Sequence, residues 1–152
     1  MNRVLRGGVA VLLGAAVATA GFAVAASGSE PEALGPGVVR IEVGIQYSQF
    51  DMGSSGGADL QVEEGTLVEF VVQNDDPIDH ELVVGGDEVH ERHAQGTEQR
   101  HPPVPGEVSV APGDRGMTFY EFDESGLMAY VCHLPGHAEF GMQGTIEVVP
   151  AD

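Results

Sequence analysis

YVCHLPGHAEFGMQGTI, residues 130 to 146, closes one run of strand-forming residues and opens another, and its spacing governs how the rest of the chain is read. Cys132, His137 and Met142 stand five residues apart each time. Along a straight strand, odd spacings send successive side chains to opposite faces, so this segment cannot be one extended strand. Leu134-Pro135-Gly136-His137 carries Pro and Gly at the second and third positions of a turn, the arrangement that a type II turn favours. Such a turn returns His137 to the side of Cys132, and Gly141 and Gly144 let the chain turn again around Met142 before a last strand. One loop thereby aims a thiolate, an imidazole and a thioether at a single point. Thiolate with imidazole suits copper or zinc, and a weak axial thioether points to copper in an electron-transfer site. That geometry needs one more equatorial imidazole. His80 is the best candidate, because it follows a strand ending near Asn74 and opens the next one, with His90, His93 and His101 as rivals.

Outward from this loop, the chain reads as short strands punctuated by turn residues. In 38–47, Val39, Ile41, Val43 and Ile45 alternate with Arg40, Glu42 and Gly44, the period-2 pattern of a half-buried strand. TLVEFVVQ, residues 66 to 73, is rich in β-branched and aromatic residues and is stopped by Asn74-Asp75-Asp76-Pro77. Further strands are expected over 81–84, 107–110, 117–122, 127–132 and 145–149. Met52, Met117 and Met128 read as core. No helix-length amphipathic stretch follows residue 30, and 85–105 reads as a long polar loop or insertion with at most one irregular helical turn. Several short strands with regular turn signals predict an all-β, two-sheet antiparallel sandwich.

The N-terminus has Arg3 and Arg6, an uncharged Ala/Val-rich run from Val9 to Ala26, and Ala23-Val24-Ala25 as an A-x-A cleavage pattern, the anatomy of a secretory signal peptide over 1–26. An uncleaved anchor is the competing reading. Residues 27–37, SGSEPEALGPG, have linker composition, which leaves 38–150 as one domain. The formal charge is -18, and removing the leader leaves 4 Arg against 24 acids, or -20. So acidic a body repels nucleic acid and anionic lipid, so neither is expected as a partner, nor is membrane insertion after leader cleavage. The single Cys cannot form an internal disulfide, and a free thiol is a liability outside the cytoplasm, so Cys132 is read as an intermolecular disulfide, a buried inert thiol, a nucleophile or a metal ligand.

The chain resembles the cupredoxins, the blue copper proteins, over roughly 38–149, and its Cys132 loop is similar to those of auracyanin, rusticyanin and sulfocyanin, which share C-x4-H-x4-M. The resemblance implies a Greek-key β-sandwich with one type 1 copper cycling between Cu(I) and Cu(II), with His80, Cys132 and His137 as equatorial ligands and Met142 as the axial one. It also implies a non-enzymatic carrier of single electrons between redox partners, expected to be monomeric and, from its leader, exported; the acidic charge reads either as a face that steers a cationic redox partner or, more blandly, as general solubility. Two departures stand out. Many family members follow the first His with an Asn that ties the ligand loops together, and here Glu81 follows; Asp79 stands where azurin has a Gly. A copper-handling protein with a His-rich loop as a second station is the alternative, and a metal-free adhesion module is a third class that the intact ligand set argues against. His90 and His93, among Glu88 and Glu91, are read as residues of a polar loop before they are read as a second Cu or Zn site. His133 is read as a surface His beside the copper. A multicopper-oxidase cluster is disfavoured because Val131, not His, precedes the Cys and there is no His-x-His pair.

Overall fold

The computed structural model describes residues 32–35, 37–53, 60–96, 100 and 102–151; the leader and the start of the linker lie outside them. The described strands are β1 (Glu32–Gly35), β2 (Val38–Gln46), β3 (Gln49–Asp51), β4 (Leu60–Glu63), β5 (Thr66–Asn74), β6 (His80–Gly85), β7 (Glu107–Val110), β8 (Arg115–Phe122), β9 (Gly126–Val131) and β10 (Gln143–Val149), with one helix, α1 (Asp87–Ala94), between β6 and β7. They form two sheets, one ordered β1-β2-β5-β8 with β3 on β2, the other β4-β10-β9-β6-β7. The sandwich expected from the strand rhythm is present, with mixed sheets: β2 runs parallel to β5, and β4 parallel to β10. The reason is topological. The turn at Glu64 and Gly65 sends the chain from β4 in one sheet to β5 in the other, so β5 meets β2 without a hairpin joining them.

Strand alternation builds the core. Ile41, Val43 and Ile45 of β2, Val68, Phe70 and Val72 of β5, Leu82 and Val84 of β6, and Ile146 and Val148 of β10 are all buried between the sheets. Phe70 and Phe122 meet edge to face with centroids 6.4 Å apart, a favourable aromatic geometry.

Four features depart from the sequence reading. The helix α1 is longer than the one irregular helical turn expected in 85–105: at eight residues with few apolar side chains it gives no amphipathic signal, yet Asp87 and Glu88 in its first turn and Arg92 and His93 in its last complement its dipole. Within the segment of linker composition, Glu32–Gly35 pairs antiparallel with β2 as an exposed edge strand. The short β3 and β4 were too brief to show periodicity. Met117 is 46% exposed, because β8 presents it to solvent, whereas Met52 is buried and Met128 packs against the core.

Candidate metal centre

Strand register delivers the loop to one end of the sandwich. In β9 against β10, Val131 pairs with Gln143, so the next pair outward is Cys132 opposite Met142, and the Cys132 N–H donates to the Met142 carbonyl at 3.0 Å. In β6 against β9, Val83 pairs with Val131, which brings the start of β6 alongside the same point. The predicted turn forms: Gly136 has φ +87°, and the His137 N–H donates to Leu134 O at 3.0 Å. The Met142 N–H then donates to His137 O at 3.0 Å, so the loop is bonded to itself at each candidate ligand.

His80, Cys132 and His137 each turn a ligand atom inward, and these atoms lie within 4.8 Å of one another; no other trio of such residues among the described ones is as close. Cys132 Sγ is 3.2 Å from His137 Nδ1, and the His80 and His137 rings have centroids 4.8 Å apart. Met142 is fully buried in the hydrophobic core that also holds Cys132. His80 Nδ1 is buried and has no hydrogen-bond partner, while Nε2 lies 3.0 Å from Asp76 Oδ2. Because a carboxylate accepts, Nε2 carries the hydrogen and Nδ1 offers its lone pair inward. A buried lone pair beside a thiol and a second imidazole is what a copper ion would satisfy, and the donor set fits that metal.

The surroundings hold these groups in place. Asp76 accepts from the Tyr47 and Ser48 amides, both at 2.7 Å, and from His80. Tyr47 and Ser48 have φ of 57° and 53°, the turn conformation that points their N–H groups at Asp76. Burial opposes ionisation of Asp76, but these amides and His80 outweigh it and hold its pKa below the ordinary value. Burial, aided by His137, lowers the His80 pKa although Asp76 pulls the other way. Burial pushes the Cys132 thiol up to about 11, against the backbone N–H groups of Glu81 and Leu134 that point at it. Glu81 takes over the tie that an Asn would make: its Oε1 accepts from the His133 N–H at 2.9 Å, joining the residue after His80 to the residue after Cys132. Asp79 forms an ion pair with Arg100. A surface depression beside His137 is lined by that ion pair together with Pro77, Ile78, Pro112, Leu134 and Pro135.

The remaining histidines separate into those that are near one another and one that lies outside the described residues, His101. His90 and His93 sit on α1 and pack against His133, which is half-buried, so the polar loop holds them in order. Burial, with His90 and His93 close by, pushes the His133 pKa down to about 4. The acids at this cluster are Glu81 and Glu107, while Glu88 and Glu91 face solvent. Asp76 is not singled out by the sequence, where its only signal is an acid four residues before the candidate His, and Glu81 stands out only as a departure from the Asn of many family members.

A family described as copper binding proteins, plastocyanin/azurin family, matches residues 42–149. The copper-resistant cuproprotein CopI of Rubrivivax gelatinosus is 38% identical over 96 residues, 60% of this chain and 57% of that protein. CopI of Vibrio cholerae is 33% identical over 101 residues, 64% of this chain and 60% of that protein, so the matches span under two thirds of either relative. The reduced auracyanin of Roseiflexus castenholzii superposes with a TM-score of 0.57 at 17% identity, covering 73% of this chain and 97% of that one, a likeness of fold.

Proposed function

This chain belongs to the plastocyanin/azurin family of copper-binding proteins, and we propose that it carries single electrons between protein partners outside the cytoplasm, without turning over a substrate of its own. The observation behind this reading is the convergence of His80, Cys132 and His137, within 4.8 Å of one another, beside a fully buried Met142 and under a depression open at His137. In this proposal His80 Nδ1, Cys132 Sγ, His137 Nδ1 and Met142 Sδ would hold the copper. Bound copper supplies a one-electron Cu(II)/Cu(I) couple. The chain's own residues do the rest. Asp76 fixes the His80 ring and its tautomer, the Glu81 and Leu134 amides steady the Cys132 sulfur, and the buried Met142 side chain keeps water out. A loop bonded to itself at Cys132, His137 and Met142 resists rearrangement between oxidation states. His137, at the edge of a depression that apolar residues share with the Asp79–Arg100 ion pair, is the natural route for the electron, and the formal charge of -18 favours a partner with a cationic docking face. Export rests on the leader-like residues 1–26.

The CopI relatives favour a second reading, in which the same copper site serves copper resistance. Cyclic voltammetry of the copper-loaded protein separates the two. A reversible one-electron couple with copper retained through repeated cycles supports the carrier, whereas release of copper on reduction supports handling of the metal and sinks the carrier reading.

A further inference from the structure

Strand alternation sends His80 and Glu81 to opposite faces of β6, and α1 packs against that strand on the Glu81 side. Glu81 is fully buried there, and its Oε1 accepts from the N–H of His133, the residue after Cys132, at 2.9 Å. One side chain of the helix meets both. His93 Nδ1 lies 3.9 Å from Glu81 Oε1, and the His93 ring stacks on that of His133 at 28° with centroids 5.4 Å apart. On its far side, His93 Nε2 lies 3.0 Å from Glu107 Oε2 of β7, and because a carboxylate accepts, Nε2 carries the hydrogen. At 4% exposure, His93 is the one buried residue of α1.

From this geometry we infer that His93 is a positioning residue for the copper centre. Anchored on Glu107, it holds Glu81 and His133 in place, and through them the two backbone segments that carry His80 and Cys132. Rotation of the Glu81 side chain would release the His133 N–H and untie the Cys132 segment from β6, and the edge of the His93 ring stands against that rotation. The face of the same ring restricts His133, whose Nε2 is fixed in turn by His90 Nδ1 at 3.0 Å. Groups that hold the neighbours of a ligand govern metal affinity nearly as the ligands do.

The competing account is an anchor that merely pins the helix to the sheet. An apolar side chain would serve that end at lower cost, because burying an imidazole is unfavourable unless its nitrogens are bonded. The polar choice matches the polar groups that His93 meets, which are Glu81 and Glu107. Glu107 is itself paired with Arg92 of the same helix, so the imidazole sits in a fixed frame. The inference rests on the copper centre and not on electron transfer, since a chain that only stored copper would need the same tie.

The test compares His93→Asn with His93→Gln. The Asn amide stands where Nδ1 was and keeps a polar group against Glu81; the Gln amide reaches the place of Nε2 and keeps the Glu107 bond alone. Cu(II) affinity is read by competition with a chelator, alongside the thiolate absorption band and the reduction potential, and exchange of the His133 amide hydrogen is followed in the metal-free chain. His93→Gln is expected to bind copper about tenfold more weakly, to shift the band and the potential, and to exchange the His133 hydrogen faster, while His93→Asn stays close to wild type. Val89→Ala, which trims the helix where it packs over Gly85, lowers stability in denaturation and leaves affinity, band and potential in place. A His93→Gln variant with wild-type affinity, band and potential overturns the inference. So does an equal loss in Asn and Gln, or in Val89→Ala, since contact with Glu81 would then not be the cause. A His133 amide that exchanges in the wild type as fast as an unbonded one also overturns it, a result that needs neither a variant nor copper to be read.

Discussion

Replacing Asp76 with Asn removes one negative charge from behind His80 while keeping the size of the side chain. Oδ2 lies 3.0 Å from His80 Nε2, and the width of the ring with a metal–nitrogen bond of about 2.0 Å puts that charge about 7 Å from the bound copper. At an effective dielectric of about 20, a unit charge at about 7 Å is worth about 2.4 kcal/mol. For a one-electron couple, at 59 mV per tenfold, this is about 100 mV. The carboxylate stabilises Cu(II), the more highly charged ion, so its loss raises the potential. The fold suffers too. Asp76 accepts from Tyr47, Ser48 and His80, and the single oxygen of Asn cannot serve them all, at a cost of about 1.5–3 kcal/mol. Voltammetry of the copper-loaded variant at pH 7 and fixed ionic strength, with the visible spectrum as a check on ligation, measures the shift. A potential within about 20 mV of wild type and an intact spectrum would refute the reasoning, since the charge would then not be felt at the metal.

Met142→Leu withdraws the sulfur while keeping apolar bulk, and Cu(II) loses more than Cu(I), so the potential rises; Met142→Gln supplies a harder oxygen donor and lowers it. If neither potential moves on the voltammogram, Met142 is a core residue only. Gly106 has φ +80°, and a Cβ there would stand 2.5 Å from Val84 O and 2.8 Å from Tyr120 Cδ2, so Gly106→Ala costs about 2–4 kcal/mol in chemical denaturation. A loss below about 1 kcal/mol would mean the backbone around residue 106 can yield. With its thiol pushed up to about 11, Cys132 is protonated at neutral pH in the metal-free chain, so copper uptake releases one proton from it. A pH indicator in weak buffer reports that proton, and Cys132→Ser releases none. The sign for stability follows: the raised thiol favours the metal-free fold below the ordinary 9.0, and that contribution is lost as pH rises toward about 11.

The strands of the sandwich and the copper loop are legible in the sequence because both rest on local rules. Period-2 alternation marks Ile41, Val43 and Ile45 as inward-facing, and Pro135-Gly136 specifies the turn that brings His137 to Cys132. What escaped the sequence depends on contacts between distant segments. Asp76 reads as one acid of a turn, and only the β2–β3 hairpin, folding back through Tyr47 and Ser48, makes it the anchor of His80. Glu81 reads in the sequence only as a departure from the family's Asn, and its register opposite His133 is what buries it. His133 reads as a surface residue until α1, too short to show a period, lays His90 and His93 against it. Met117 errs the other way: an apolar residue in a strand was read as core, but β8 turns it outward.

The most direct test of a copper centre built on Cys132 is the visible absorption spectrum of the purified chain with Cu(II), wild type against Cys132→Ser. The wild type shows an intense blue or green thiolate-to-copper band, and the variant lacks it, because no other side chain of this single-cysteine chain supplies that transition. A wild type that binds Cu(II) without the band, or a Cys132→Ser variant that keeps it, would contradict the account.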